Sequence, residues 1–146
     1  MNIVKGDLLT AKGIIVHGCN CQGVMGSGVA LQIKTKWPAA FEKYMEHHRL
    51  QRLYLGSAHY IAVEDDVIVV NAMTQRFYGR DGRRYVDYDA VGAVFRFVRG
   101  LAKHHNLPVH FPLIGCGLAG GDWSVVEPII HEQLGPNVEA TLWLHN

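Results

Sequence analysis

The sequence predicts an α/β domain built on a mixed sheet, and three observations predict it. Short apolar runs alternate with longer segments of helical period, the pattern of a domain whose strands are buried on both faces. Two of the runs, Tyr54 to Val63 and Val67 to Asn71, are separated only by Glu64, Asp65 and Asp66, which reads as a hairpin and makes the sheet mixed rather than purely parallel. Eight of the sixteen glycines fall in two windows, Gly18 to Gly28 and Gly115 to Gly121, each beside an apolar run. Roughly ten glycines would be average for a chain of this length, and a flexible linker would spread them among Ser and Pro. The clusters read instead as site loops.

Asn2 to Lys5 is a short first strand, and Ile14-Ile15-Val16 is a buried second one that runs into the first glycine window. Gly28 to Lys36 is a helix stopped at Trp37-Pro38, because proline disfavours the helical conformation of the residue before it. Ala39 to His48 restarts as a helix with Phe41, Tyr44 and Met45 on one side. The hairpin follows. Between Asp89 and His105 the apolar residues Val91, Val94, Phe95, Val98, Leu101 and Ala102 recur at steps of three and four, with Asp87 or Asp89 as the N-cap. Pro108 to Pro112 and Ala140 to Leu144 are further strands, and Trp123 to Leu134 is a last helix ended by Gly135-Pro136. Neither an internal repeat nor a linker interrupts residues 1–146, which read as one domain.

Length and composition fit that reading. A chain of 146 residues with 49% hydrophobic content can bury a real core, which excludes disorder and collagen-like repeats. No apolar stretch approaches the roughly 18–20 residues of a membrane span, and MNIVKGDLLT lacks the regions of a secretory signal, so the expectation is a soluble cytoplasmic protein. Three cysteines, Cys19, Cys21 and Cys116, do not make a disulfide framework. A net charge of +1 gives no global field for nucleic acid; the local exception is Arg76 to Arg84, with Arg76, Arg80, Arg83 and Arg84 against Asp81. That loop could hold a phosphorylated substrate or simply be solvated.

The chemistry gathers at the glycine windows. A buried strand leading through His17, Gly18, Cys19, Asn20 and Cys21 into glycines and then a helix puts bare backbone N–H groups and a helix N-terminus beside an anion. The segment lacks the Lys-Ser/Thr of a P-loop and the G-x-G-x-x-G of a dinucleotide fingerprint. The segment of the second window, Phe111 to Trp123, repeats the arrangement at the end of another strand, and two such loops at the carboxyl ends of strands could clamp a diphosphate. His17 is either an acid, base or nucleophile near phosphate or a satisfied buried histidine. Asp122 is either a helix N-cap or a residue that orients a water. Cys19, Cys21 and His17 lack a partner cysteine pair, so they read as reduced thiols and not as a metal site. No cofactor is expected.

With these residues in view, the chain resembles the macrodomain family of ADP-ribose-binding modules. The resemblance rests on Val4-Lys5-Gly6-Asp7-Leu8-Leu9, the Asn20 to Ala30 loop and Pro112 to Trp123, and covers nearly the whole chain. It implies a three-layer α/β/α fold around the mixed sheet. It implies that Asp7, beside Leu8, recognises the adenine amine and that Asn20 contacts the distal ribose. Gly26, Ser27, Gly28 and Val29 of one loop, with Ile114, Gly115, Cys116, Gly117 and Leu118 of the other, would hold the diphosphate and that ribose, and Thr74 and Gln75 would border them. The loop before α-helical Gly28 to Lys36 is most similar to the yeast-type branch that dephosphorylates ADP-ribose 1″-phosphate, which implies a catalytic His17. The Ile114 to Trp123 loop is similar to the branch that removes ADP-ribose from protein or nucleic acid, which implies a role for Asp122 beside a lysine. Gln75 stands where that lysine aligns. The leading expectation is therefore an ADP-ribose 1″-phosphate phosphatase, with an ADP-ribosyl hydrolase or a non-catalytic ADP-ribose binding module as alternatives.

Overall fold

The computed structural model describes residues 1–145. Among them six strands form one sheet in the order β1-β6-β5-β2-β4-β3. The strands are β1 (Asn2–Lys5), β2 (Gly13–Asn20), β3 (Ala58–Glu64), β4 (Val67–Gln75), β5 (Val109–Phe111) and β6 (Ala140–Leu144). All neighbours pair in parallel except β3 and β4, which form the expected antiparallel hairpin across Asp65-Asp66, so the sheet is mixed.

Four helices among the described residues cover the sheet: α1 (Gly28–Lys36), α2 (Pro38–Arg49), α3 (Tyr88–His105) and α4 (Trp123–Leu134). Strand residues alternate between the two faces, and the core divides accordingly. Ile14, Val16, Ile68 and Val70 pack with Val91, Phe95 and Val98 of α3 and with Val126 and Ile130 of α4. Ile15 and Val69 pack on the opposite face with Ile33 of α1, Ala40 of α2 and Trp37 between them. The result is the three-layer α/β/α arrangement.

The helix signals hold at their ends. Pro38 sits in the first turn of α2, where its missing N–H leaves no bond unmade. Asp87 caps α3, its carboxylate accepting the Ala90 N–H at 2.9 Å, and Asn106 closes that helix in the left-handed conformation. Strand limits differ more. β2 runs on to Asn20 and β4 to Gln75, because the two strands stay paired with each other beyond the reach of their other strand partners, so polar His17, Asn71 and Thr74 are carried into the sheet. The first part of Tyr54 to Val63 is a turn, with the Ser57 hydroxyl donating to the Tyr54 carbonyl at 2.6 Å. Pro108 and Pro112 fall outside β5, having no N–H to give the ladder.

Candidate ligand-binding site

At the carboxyl ends of β2, β4 and β5 a cavity of about 400 Å³ opens between the two glycine loops. Gly18, Asn20, Gly26, Ser27, Gly28 and Val29 line one side, Ile114, Gly115, Gly117 and Leu118 the other, and Gln75, Tyr78, Gly79 and Arg80 the rim that follows β4. A second cavity of about 520 Å³ adjoins it and shares Val29, Pro112, Leu113 and Gly117. Asp7, Leu8 and Cys116 line this second space. Both volumes suit a small-molecule site.

The first loop is shaped by Asn20 and Tyr44. The Asn20 side chain accepts the Gln22 N–H at 2.9 Å and donates to the Val24 carbonyl at 2.8 Å, folding the chain back on itself. The Tyr44 hydroxyl, reaching up from α2, donates to the Asn20 carbonyl at 2.6 Å and accepts the N–H groups of Gly23 at 3.0 Å and Val24 at 3.2 Å. The loop then delivers the chain to α1. Ser27 stands at the N-cap of α1 without a side-chain capping bond, and Gly28, Val29 and Ala30 carry N–H groups that a helix cannot satisfy internally. This open helix end lines the cavity, where its donors and dipole favour an anion.

The loop after β5 is a tight turn. The Gly121 N–H donates to the Gly115 carbonyl at 2.7 Å, and Gly115 takes a φ of 75°. A Cβ there would lie 2.6 Å from a methyl of Val86, so only glycine fits. Asp7, below the second cavity, accepts the Leu9 N–H through Oδ1 at 2.9 Å and caps a 3-10 turn, Leu8–Thr10.

Two expected catalytic residues stand elsewhere. His17 is 1% exposed and lies on the face of β2 that carries Ile15, whereas its neighbour Gly18 lines the cavity. The two-residue period of a strand sends adjacent side chains to opposite faces, and His17 is on the wrong one. Its Nε2 donates to the Asn71 side-chain carbonyl at 2.6 Å, and the Asn71 amide donates in turn to His59 at 2.9 Å and to the Ala40 carbonyl at 3.0 Å. Burial pulls the His17 pKa down to about 4, against the opposing Asn71 hydrogen bond. The residue is a neutral core histidine. Asp122 is exposed, lines neither cavity, and accepts the Ser124 hydroxyl at 2.7 Å and the Ser124 N–H at 2.9 Å, which hold its carboxyl below the ordinary carboxylate range. It is the N-cap of α4.

Of the other expected residues, Thr74 is fully buried, and its hydroxyl has no partner among the described residues. It lies under Gly18, where a Cβ would come within 2.7 Å of that hydroxyl, and reaches neither cavity. Cys116 belongs to the second cavity and not to the first. Gln75 lines the first cavity and donates through Nε2 to the Phe77 carbonyl at 2.8 Å. Neither Lys34 nor Lys36 substitutes for a lysine there: Lys34 lies over the Phe41 ring and Lys36 donates to the Leu9 carbonyl at 2.8 Å. In the sequence Tyr44 was visible only as an apolar helix position, and Tyr78 and Gly79 only as parts of an arginine-rich loop. The first cavity therefore holds no histidine, lysine, cysteine or carboxylate among its described lining residues, and a single charged one, Arg80.

Known proteins are similar to this chain in sequence and fold. The "DNA ADP-ribosyl glycohydrolase" of Mycobacterium tuberculosis is 29% identical over 95% of this chain, which spans 40% of that protein's length. The "ADP-ribose 1''-phosphate phosphatase" of Candida glabrata is 35% identical over 73% of this chain and 64% of its own. Among solved structures, a macrodomain protein from Streptomyces coelicolor superimposes with a TM-score of 0.81 at 32% identity, over 97% of both chains. Residues 16–130, which carry both glycine loops, most of β2 and all of β3, β4 and β5, match the family model described as Macro domain, and the chain belongs to that family.

Proposed function

We propose that the chain binds ADP-ribose along the two joined cavities and hydrolyses ADP-ribose 1″-phosphate to ADP-ribose and inorganic phosphate. One observation carries this reading: a cavity walled by an uncapped helix end and a glycine turn, with one arginine and no histidine, lysine, cysteine or carboxylate among its described lining residues. Such a wall offers main-chain N–H donors to phosphate oxygens. Phosphoryl transfer needs little more, because its transition state is loose and the protein's part is positioning and charge stabilisation. Water attacks phosphorus, the bond from phosphorus to the 1″ oxygen breaks, and the phosphate's own proton passes to the departing anomeric oxygen. Gly26 to Val29 and Gly115 to Leu118 would hold the diphosphate and adjoining ribose, and Asp7 the adenine amine, with its Oδ2 carrying no hydrogen bond from the described residues.

A second reading, removal of ADP-ribose from nucleic acid, is favoured by the mycobacterial relative that aligns over 95% of this chain. Breaking a glycosidic bond to a base asks for a lysine or acid at the distal ribose, and Gln75 is a neutral amide already bonded to Phe77. Two measurements decide. Calorimetry with ADP-ribose, with AMP and NAD as controls, should give saturable binding; no heat would end the ligand assignment. Phosphate release from ADP-ribose 1″-phosphate should exceed ADP-ribose release from modified DNA, and the reverse order would select the second reading.

A further inference from the structure

We propose that Arg80 is the specificity residue for the terminal phosphate, its guanidinium binding the phosphomonoester of ADP-ribose 1″-phosphate; the assignment rests on the ligand reading above. The four arginines of the 76–84 loop are not equivalent. Arg83 pairs with Asp81 at 3.3 Å and Arg84 lies over the Tyr88 ring at 4.6 Å. Arg76 lines neither cavity, and its carbonyl accepts the Cys21 N–H at 3.1 Å. Only Arg80 lines the first cavity, and among the described residues no carboxylate lies within ion-pair distance of it.

The loop is built to present that one cation. Its single acid, Asp81, accepts the Tyr85 hydroxyl at 2.7 Å and the Arg83 N–H at 3.2 Å as well as the Arg83 ion pair. Gly79 packs so closely on the Tyr85 hydroxyl that a Cβ would overlap it, which ties the residue before Arg80 to the same brace. The Tyr85 and Val86 N–H groups both donate to the Ala119 carbonyl, at 2.7 and 3.1 Å, joining the brace to the second glycine loop. On the other side the Tyr78 N–H donates to the Gln22 side chain at 3.1 Å, joining it to the first. Arg80 thus stands between two loops that supply main-chain donors.

Position along the ligand follows from the two cavities. Arg80 lines the first and not the second, where Asp7 lies, so it stands at the end away from the adenine. A phosphate on the distal ribose is the one charge that ADP-ribose 1″-phosphate has and ADP-ribose lacks. A guanidinium fits it well, because its planar fork pairs two N–H groups with two phosphate oxygens and keeps its charge at any working pH.

The test compares two ligands in three proteins: wild type, Arg80→Gln and the control Arg76→Gln. Affinity for ADP-ribose is read by calorimetry, and that for ADP-ribose 1″-phosphate by KM, or by calorimetry if it is not turned over. Arg80→Gln should leave ADP-ribose binding within about twofold and weaken ADP-ribose 1″-phosphate by about 10- to 100-fold, the range of one hydrogen-bonded charge. Arg80→Lys should recover part of the loss, and Arg76→Gln should change neither ligand. In wild type, raising the salt should shrink the preference for the phosphorylated ligand. An equal loss for both ligands in Arg80→Gln, or no loss for either, overturns the assignment while leaving the ADP-ribose site standing. A wild-type protein that binds no ADP-ribose overturns the underlying reading and this one with it.

Discussion

Tyr44 shows how much one buried hydroxyl can organise. It is fully buried, yet its oxygen meets the carbonyl of Asn20 and the N–H groups of Gly23 and Val24, so α2 sets the shape of a loop that lines the cavity from beneath. Tyr44→Phe keeps the ring and removes the oxygen, leaving the buried Asn20 carbonyl and two part-buried N–H groups short of partners at a cost of roughly 1–3 kcal/mol. Urea unfolding should register that loss, and ADP-ribose affinity should fall several-fold because the loop loses its mould. Unchanged affinity would mean that Asn20 alone sets the loop. Asp122 makes the opposite case. As an exposed N-cap outside both cavities, it should lower the melting temperature by a few degrees when changed to Ala and leave phosphate release within about twofold. A hundredfold loss of turnover in a folded Asp122→Ala protein would return it to the chemistry.

At the scale of elements, the period of the apolar residues and the cap residues carried most of the fold. α1 and α4 begin and end where Gly28, Trp37-Pro38, Asp122 and Gly135 predict, and Asp65-Asp66 marks the one antiparallel turn of the sheet. The strand ends were less legible, since buried central strands tolerate His17, Asn71 and Thr74 once neighbours satisfy or enclose them, and no local signal announces those neighbours. Likewise the glycine windows pointed to the cavity, but which face His17 takes depends on where β2 stops. A break at Val16 would have freed it; pairing of β2 with β4 through Asn20 does not. The loop after β5 offers a direct test of that wall. Gly115→Ala forces an L-residue to a φ of 75° and drives its Cβ into Val86. The left-handed backbone alone costs roughly 1–2 kcal/mol, and the overlap adds to it. Stability should fall by at least that much, and ADP-ribose binding should weaken about tenfold or more, as the cavity wall moves. A variant with wild-type affinity would remove this turn from the ligand site.

For the whole molecule, the group that sequence placed in the chemistry instead ties stability to pH. His17, Asn71 and His59 form a buried polar chain between β2, β4 and β3, and His59 stacks on His47 of α2 with ring centroids 4.2 Å apart. Burial holds His17 near pKa 4, and burial, with His47, His17 and Lys43 adding to it, pulls His59 to about 3. Both are neutral when folded, whereas each binds a proton near its ordinary value of 6.5 when the chain unfolds. Above that value neither state takes up a proton, and these residues add no pH dependence. Below it the unfolded chain is protonated first, so stability falls with falling pH until the folded pKa is reached. Each such proton contributes a slope of about 1.4 kcal/mol per pH unit, so His17 alone should remove about 2 kcal/mol between pH 7.5 and pH 5. Urea titrations at those two pH values should therefore show a clear drop for the wild-type protein. In His17→Gln, whose amide can still meet Asn71, the drop should shrink by about that amount even if the variant is less stable at both pH values. An equal drop in both proteins would mean that His17 takes up its proton in the folded state, and that it is less sealed from solvent than its place in the sheet implies.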